Sequence, residues 1–412
     1  MTDREEMNGS SPEQPAGGHA CDGDAMANVP ADGGAGAAGT RAEGASACND
    51  AGAPAAGKPA SKKKRRAKGS KAAASGRGGK KIALIVLGII LAVLLLSVAV
   101  AFALVKSGES SLKDFTGEIL AAEDAQSTDE GRTVEYQGKK YALNEGMVSV
   151  VFIGYDRNEL ADPALTAGQA DTVIVLALDT KTGKATAINV PRDSMVEVGE
   201  FAGDAYIGQD TMQLCLAFSY GDGAETSCEN VTTSVSRTMY NMPMSYYVAL
   251  NVEGIAPLND AVGGVELNAL QTIPGTDIVE GQTTLLMGDN AERYVRYRDT
   301  SALSSSSDRQ ERQMQYITAY AAKALSGSDG ESASLIDLYN LASEYSVTNL
   351  GASQFAYLAS VMLSHGITSL DSVTLAGETV EGPQYIEYQL DKDAVYQTVL
   401  DVYYTPVQEE DK

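Results

Sequence analysis

Histidine is nearly absent: the 412 residues contain two, His19 and His365. That scarcity argues against a histidine-ligated zinc centre and leaves little for a Ser-His-Asp scheme. Cysteine is almost as rare. Cys21 and Cys48 precede a long apolar run, Cys215 and Cys228 follow it, and no CxxC spacing marks a metal or redox motif. Positive charge is the third shortage. Residues 1–81 hold 13 basic and 9 acidic groups, which leaves 18 against 46 for the rest, a net of −28 within an overall −24. A surface that acidic lacks the basic patches that neutralise nucleic-acid phosphates, so no nucleic acid is expected as a partner. No second apolar run matches Ile82–Val105 in length, which argues against a transporter.

What is present divides the chain in order. Residues 1–81 are expected to be a disordered cytoplasmic tail, rich in Ala, Gly, Pro and Ser and poor in large apolar side chains. The tail ends in a basic block, SKKKRRAKGSK, which reads as the positive-inside flank of a membrane span. Residues 82–105 are uncharged and long enough to cross ~30 Å of hydrocarbon as one helix. Because about 80 residues precede this run, a retained anchor is expected rather than a cleaved signal peptide. That predicts a single-pass protein in the bilayer with its C-terminal body outside. Residues 106–146 read as a polar stalk, 147–405 as the folded body, and 406–412 as a tail.

Within the body, Val148–Gly154, Thr172–Asp179 and Lys184–Val190 are apolar, β-branched runs that predict strands. Tyr246–Val252, Gly264–Leu267 and Ser372–Leu375 add shorter ones. Helical spacing marks Asp210–Tyr220, Ala224–Tyr240, Asn290–Arg298, Asp308–Leu325, Leu335–Tyr345, Ser353–His365 and a closing Asp393–Tyr404. The mixture predicts one α/β domain with a mixed sheet flanked by helices.

The chemistry-bearing residues stand at the ends of these elements. Asp156 follows the first strand and Asp171 opens the second, so two carboxylates on neighbouring strands can converge. Such oxygen ligands suit Mg²⁺, which keeps most of its waters and bridges to phosphates; the plainer reading is two strand-end or turn aspartates. Pro191 stops pairing after the third strand and leaves Arg192 free to turn toward a ligand. The stretch Arg293–Gln313 then gathers Arg293, Arg296, Arg298, Arg309 and Arg312, although only four other arginines lie beyond the apolar run: Arg132, Arg157, Arg192 and Arg237. Arg309, Arg312 and Gln313 share one helical face by their spacing. Guanidinium forks suit phosphate oxygens, so an anion site, or else a helix whose arginines pair with Asp and Glu, is expected there. Cys215 and Cys228 fall beyond the membrane, where disulfides persist, on what read as consecutive helices joined by a GDG turn. A disulfide is expected, with two buried free thiols as the alternative.

Taken in order behind an anchor of this topology, GYD (Gly154–Asp156), ADT (Ala170–Thr172), VPRD (Val190–Asp193), AVGGV (Ala261–Val265), YVRYR (Tyr294–Arg298) and RQERQ (Arg309–Gln313) resemble the LytR-CpsA-Psr family of bacterial cell-wall enzymes. The resemblance implies an α-β-α catalytic domain over 147–405 with an apolar groove for a polyprenyl tail. It implies transfer of a glycopolymer-1-phosphate from an undecaprenyl-pyrophosphate carrier to peptidoglycan. Asp156 and Asp171 would hold Mg²⁺ or Mn²⁺, and Arg157, Arg192, Arg296, Arg298, Arg309, Arg312 and Gln313 would serve the pyrophosphate. Asp156, Arg192, Arg298 and Arg309 would take the catalytic roles. The chain departs from the pattern at Ser306 and Asp308, where the family has Asp and Gly, and at Asn189, where Ser is common. Alternatives are a pyrophosphatase using the same site with water as acceptor, or a non-catalytic binder of lipid-linked glycan.

Overall fold

A computed structural model describes residues 103–109, 118–156, 168–202, 205–244, 246–299, 305–326, 334–366, 370–383 and 385–407. The expected cytoplasmic tail and all but the last three residues of the expected span lie outside these. Among the described residues no helix is long and apolar enough to cross a membrane.

The first described element is a short helix, α1 (103–109). Where a stalk was expected, three strands follow: β1 (Gln126–Thr128), β2 (Thr133–Tyr136) and β3 (Lys139–Leu143). They form an antiparallel sheet closed by β16 (Tyr404–Pro406) from the far end of the chain, in the order β1-β2-β3-β16. Val134, Tyr136 and Tyr141 alternate into the core while Glu135, Lys139 and Lys140 face water. Tyr404 is buried and its hydroxyl donates to the Gly131 carbonyl at 2.7 Å. The stalk boundary at 146 is therefore corrected, since residues 118–146 belong to the packed body, and the body's last strand runs on to Pro406, the first residue of the expected tail.

The central sheet is mixed and six-stranded. It contains β4 (Met147–Asp156), β5 (Gln169–Asp179), β6 (Ala185–Asn189), β9 (Tyr246–Asn251), β12 (Ser346–Thr348) and β13 (Asp371–Thr374), in the order β12-β9-β4-β5-β6-β13. The β4–β5 and β5–β6 pairs are antiparallel, whereas β9 and β13 join in parallel. On one face Val151, Ile153, Val173, Val175 and Ile188 pack with α2 (Leu216–Ser219), α3 (Glu225–Thr238) and α9 (Lys392–Tyr403). On the other, Val148, Val150 and Leu178 pack with Tyr357, Leu358, Val361 and Met362 of α8 (Ala352–Ser364). This is the expected sheet between helical layers.

A third apolar cluster joins α4 (Ile255–Ala261), the hairpin β10 (Val265–Asn268) and β11 (Thr283–Leu286), α5 (Asp289–Arg296), α6 (Ser305–Leu325) and α7 (Leu335–Glu344). The AVGGV motif is the turn into β10. Gly264 has φ +83°, and a Cβ there would meet the Leu286 carbonyl oxygen at 2.8 Å. That motif therefore serves packing.

Two further expectations are corrected. Asp210–Tyr220 is not one helix: β8 (Ala205–Gln213) pairs with β7 (Met195–Ala202) as a long hairpin, and only Leu216–Ser219 is helical. Residues 205–211 are exposed or half-buried while Met212–Ser219 are all buried, so no single helical stripe runs through Asp210–Tyr220. The Cys215–Cys228 disulfide does not form, because Cys228 is a free thiol in the core. Its helix turns the sulfur inward, and burial pushes the thiol up to about 12, which starves it of the thiolate that disulfide exchange requires.

Candidate active site

The site forms at the end of the sheet where β4 finishes and β5 begins. The ladder pairs Gly154 with Thr172 and Tyr155 with Ala170, so Asp171 is the extra residue of a bulge. A bulge bends the strand and re-aims the side chain it frees. Asp171 meets the Nη1 of Arg192, whose Nη2 donates to Gln169 Oε1 at 3.2 Å. Gly154 permits the close approach: a Cβ there would stand 3.1 Å from Thr172 Cβ. At the end of β4, Asp156 accepts from Nη2 of Arg296, and Glu292 engages the other Nη at 2.9 Å from one helical turn earlier.

Arg192 is 4 % exposed, just past the end of β6. Its carbonyl accepts from Cys215 N at 2.9 Å, and that of Ser194 accepts from Leu214 N at 2.9 Å. These bonds seat the Pro191–Ser194 turn against the end of β8. Arg298 comes after α5, where Tyr297 has turned to extended backbone, and its Nε donates to Ser305 Oγ at 3.2 Å.

Arg309 lies in the first turns of α6 and is 5 % exposed, with no hydrogen-bond partner for its Nε among the described residues. Burial lowers its pKa; the nearby Asp171 and Asp193 oppose that shift, while Arg192 and Arg298 add to it. Five charged groups from four parts of the chain are thus close enough to feel one another. The next residue, Gln310, accepts from Asn189 Nδ2 at 3.3 Å, and Thr374 Oγ1 stands 3.3 Å from the same nitrogen. This contact seats the start of α6 on the ends of β6 and β13.

Arg312 is different. It is 1 % exposed. Its Nε donates to the Tyr294 carbonyl at 3.1 Å, its Nη1 to the Asp308 carbonyl at 3.2 Å and to Gln271, and its Nη2 to the Tyr297 carbonyl. The guanidinium also lies 5.6 Å from the centre of the Tyr297 ring. Gln313 donates to the Val295 carbonyl at 3.3 Å. Both side chains hold α5 against α6, so Arg312 is reassigned from the phosphate set to the frame behind it. Arg157 lies outside the described residues. Gln169, Glu292 and Gln310 were not singled out from sequence. Only Glu292 carried a readable signal, its i,i+4 spacing to Arg296.

Among the described residues no three His, Cys, Asp or Glu side chains form a ready cation cage. Asp156 and Asp171 are instead two hard carboxylates at neighbouring strand ends, each beside a guanidinium. A pair of this kind suits a cation that keeps its waters and takes further oxygens from a phosphate.

The α8-side face of the sheet leads into this cluster. Pairing places Val150, Phe152, Gly154 and Asp156 of β4 on that face with Leu176 and Ile174 of β5, Asn189 of β6 and Val248 of β9. Val150 is covered, but Phe152, on a central strand, is 39 % exposed, and Leu176, Val248 and Leu250 are only partly buried. Around the buried Ile174, a partly open apolar surface therefore runs up to the acid–arginine cluster.

A sequence model of the LytR_cpsA_psr family matches residues 112–401. The polyisoprenyl-teichoic acid–peptidoglycan teichoic acid transferase TagU of Enterococcus faecalis is 28% identical over 255 residues, 60% of this chain and 73% of that protein. The TagU of Halalkalibacterium halodurans is 26% identical over 213 residues, 51% and 62% of the two chains. Among solved structures, a Streptococcus agalactiae protein aligns with a TM-score of 0.51 at 20% identity, over 63% of this chain and 89% of that one. A transcriptional regulator from Enterococcus faecalis aligns with a TM-score of 0.50 at 22% identity, over 63% and 87%. At these identities the structural likeness shows the fold alone.

Proposed function

Because the chain belongs to the LytR-CpsA-Psr family, we propose that it is a phosphotransferase of the bacterial cell membrane that works on the outer side. It moves a glycopolymer-1-phosphate from a polyprenyl-pyrophosphate carrier onto peptidoglycan. Relatives named as teichoic acid transferases support the reaction class. The observation that carries the reading is Arg309, a buried guanidinium whose Nε has no partner among the described residues, beside Asp171, Arg192 and Arg298. A buried cationic donor left without an acceptor is costly, and a diphosphate oxygen would supply one.

In this reading an acceptor hydroxyl attacks the phosphorus attached to the glycan. A new P–O bond forms as the hydroxyl gives up its proton, the bond to the bridging oxygen breaks, and polyprenyl phosphate leaves with that proton on the freed oxygen. Arg192, Arg298 and Arg309 would bind the diphosphate and stabilise the charge that develops on its oxygens. Arg296 would exchange its contact with Asp156 for a phosphate oxygen. Asp156 and Asp171 would hold Mg²⁺ or Mn²⁺, which when bound withdraws charge from the phosphate oxygens. Among the described residues no histidine stands in the cluster, so positioning and charge stabilisation would carry most of the rate. The half-exposed Phe152 and its neighbours would receive the first isoprene units of the carrier.

The test uses the full chain in vesicles with Mg²⁺, a polyprenyl-pyrophosphate-linked glycan and peptidoglycan fragments, against Asp171→Asn and Arg298→Ala. Glycan joined to peptidoglycan through phosphate, and lost in both variants, is the expected outcome. Release of glycan phosphate without attachment would replace this reading with a pyrophosphatase. Tight binding of the carrier with no turnover across metals and acceptors would replace it with a binder.

A further inference from the structure

The end of the apolar run is not a loose spacer. Residues 103–105 belong to α1, and α1 packs on α8. Gly108 is buried, and a Cβ there would stand 2.2 Å from the Ser353 carbonyl oxygen and 3.0 Å from Tyr357 Cβ. No side chain fits without pushing α1 away. Val105, the last residue of the apolar run, packs against the cluster of Val148, Val150, Tyr357, Leu358 and Val361. That cluster continues along the same sheet face into the open apolar surface at Phe152. Lys106 points outward, 62 % exposed and paired with Glu109 at 2.8 Å, and Leu104 is 45 % exposed. An apolar helix end followed at once by an exposed lysine is the composition of a membrane interface.

We propose that the α1–α8 contact is a rigid coupling to the lipid bilayer, holding the open apolar face of the sheet against the membrane surface. A polyprenyl chain could then pass from bilayer to protein without exposing its apolar surface to water. A flexible stalk would let the body drift, and each turnover would begin by extracting the chain. The inference rests on the proposed membrane anchoring and lipid-linked substrate, and it adds where the lipid is handed over.

The test compares the full wild-type chain with Gly108→Leu in vesicles of phosphatidylethanolamine and phosphatidylglycerol. One substrate is a long-chain polyprenyl-diphosphate glycan embedded in the same vesicles; the other is a short-chain, water-soluble analogue. Gly108→Leu is expected to lose about tenfold or more on the embedded substrate and to keep the wild-type rate on the soluble one. Val105→Ser, which weakens the same contact without a clash, is expected to show the same split in smaller degree. Equal losses on both substrates in both variants, or no loss on either, would overturn the coupling. A wild-type chain that fails to associate with vesicles, or is inactive on both substrates, would instead overturn the reading beneath it.

Discussion

Truncating Arg312 to Ala would remove donors to the carbonyls of Tyr294, Tyr297 and Asp308 and leave them buried. A loss of about 3 kcal/mol or more is expected, read as a fall in the denaturant midpoint. Any fall in activity should track the folded fraction. Arg309, three residues earlier on the same helix, has no such duties. From sequence the two are equivalent, since i,i+3 spacing puts both on one helical face. What separates them is which backbone carbonyls lie opposite, and that depends on how α5 ends at Tyr297. Asp179 makes a separate prediction. Burial raises its proton affinity, but hydrogen bonds from the Thr182 hydroxyl, the Lys181 amide and Asn144 outweigh that and hold its pKa below the usual carboxylate value. A depressed native pKa stabilises the fold at neutral pH, and that contribution is lost as pH falls through the native value. Asp179→Asn should therefore lower the melting temperature at pH 7, and its difference from wild type should shrink as the pH drops below about 4.

At the scale of elements, the bulge at Asp171 links packing to chemistry. Gly154→Ala puts a Cβ 3.1 Å from Thr172 Cβ, so the strand carrying the bulge must shift by a few tenths of an ångström. A displacement of catalytic groups on that scale is expected to cost about tenfold in turnover, with only a small change in melting temperature. Strands β4, β5 and β6 were legible because continuous β-branched runs need no partner to be recognised. The small sheet β1-β2-β3-β16 was not. It buries few residues, Val134, Tyr136, Tyr141 and Tyr404, among charged neighbours, and its last strand comes from more than 250 residues away. The β7–β8 hairpin was half hidden for a related reason, since the spacing within Asp210–Tyr220 fits a helix until cross-strand pairing decides. A body begun at Met147 should accordingly be insoluble or molten, whereas one begun at residue 112 should unfold cooperatively, as circular dichroism and thermal melts would show.

The molecule as a whole is acidic, with a net charge of −28 beyond residue 81, yet it gathers arginines at one end of its central sheet. A polyanionic glycan, were it the substrate as proposed, would therefore meet long-range repulsion combined with short-range attraction at the site. Salt screens the first more than the second, because Arg192 and Arg309 are buried. The apparent KM for a polyanionic glycopolymer should fall as ionic strength rises from about 0.01 M to about 0.15 M, the reverse of what a basic surface would give. The six motifs made the site legible as a set of residues, but its division into phosphate binders and frame came only with the packing of α5 and α6.

The central claim is that Arg309 is kept buried, with its Nε unpartnered among the described residues, for an anionic substrate. The measurement that reaches it most directly is the melting temperature of wild type and Arg309→Met, each with and without a polyprenyl diphosphate. The expected result is that Arg309→Met melts at or above the wild-type temperature without ligand, because a costly buried charge is gone. Ligand should then raise the melting temperature of wild type alone. A variant that melts well below wild type without ligand, or that keeps the full ligand shift, would contradict the account.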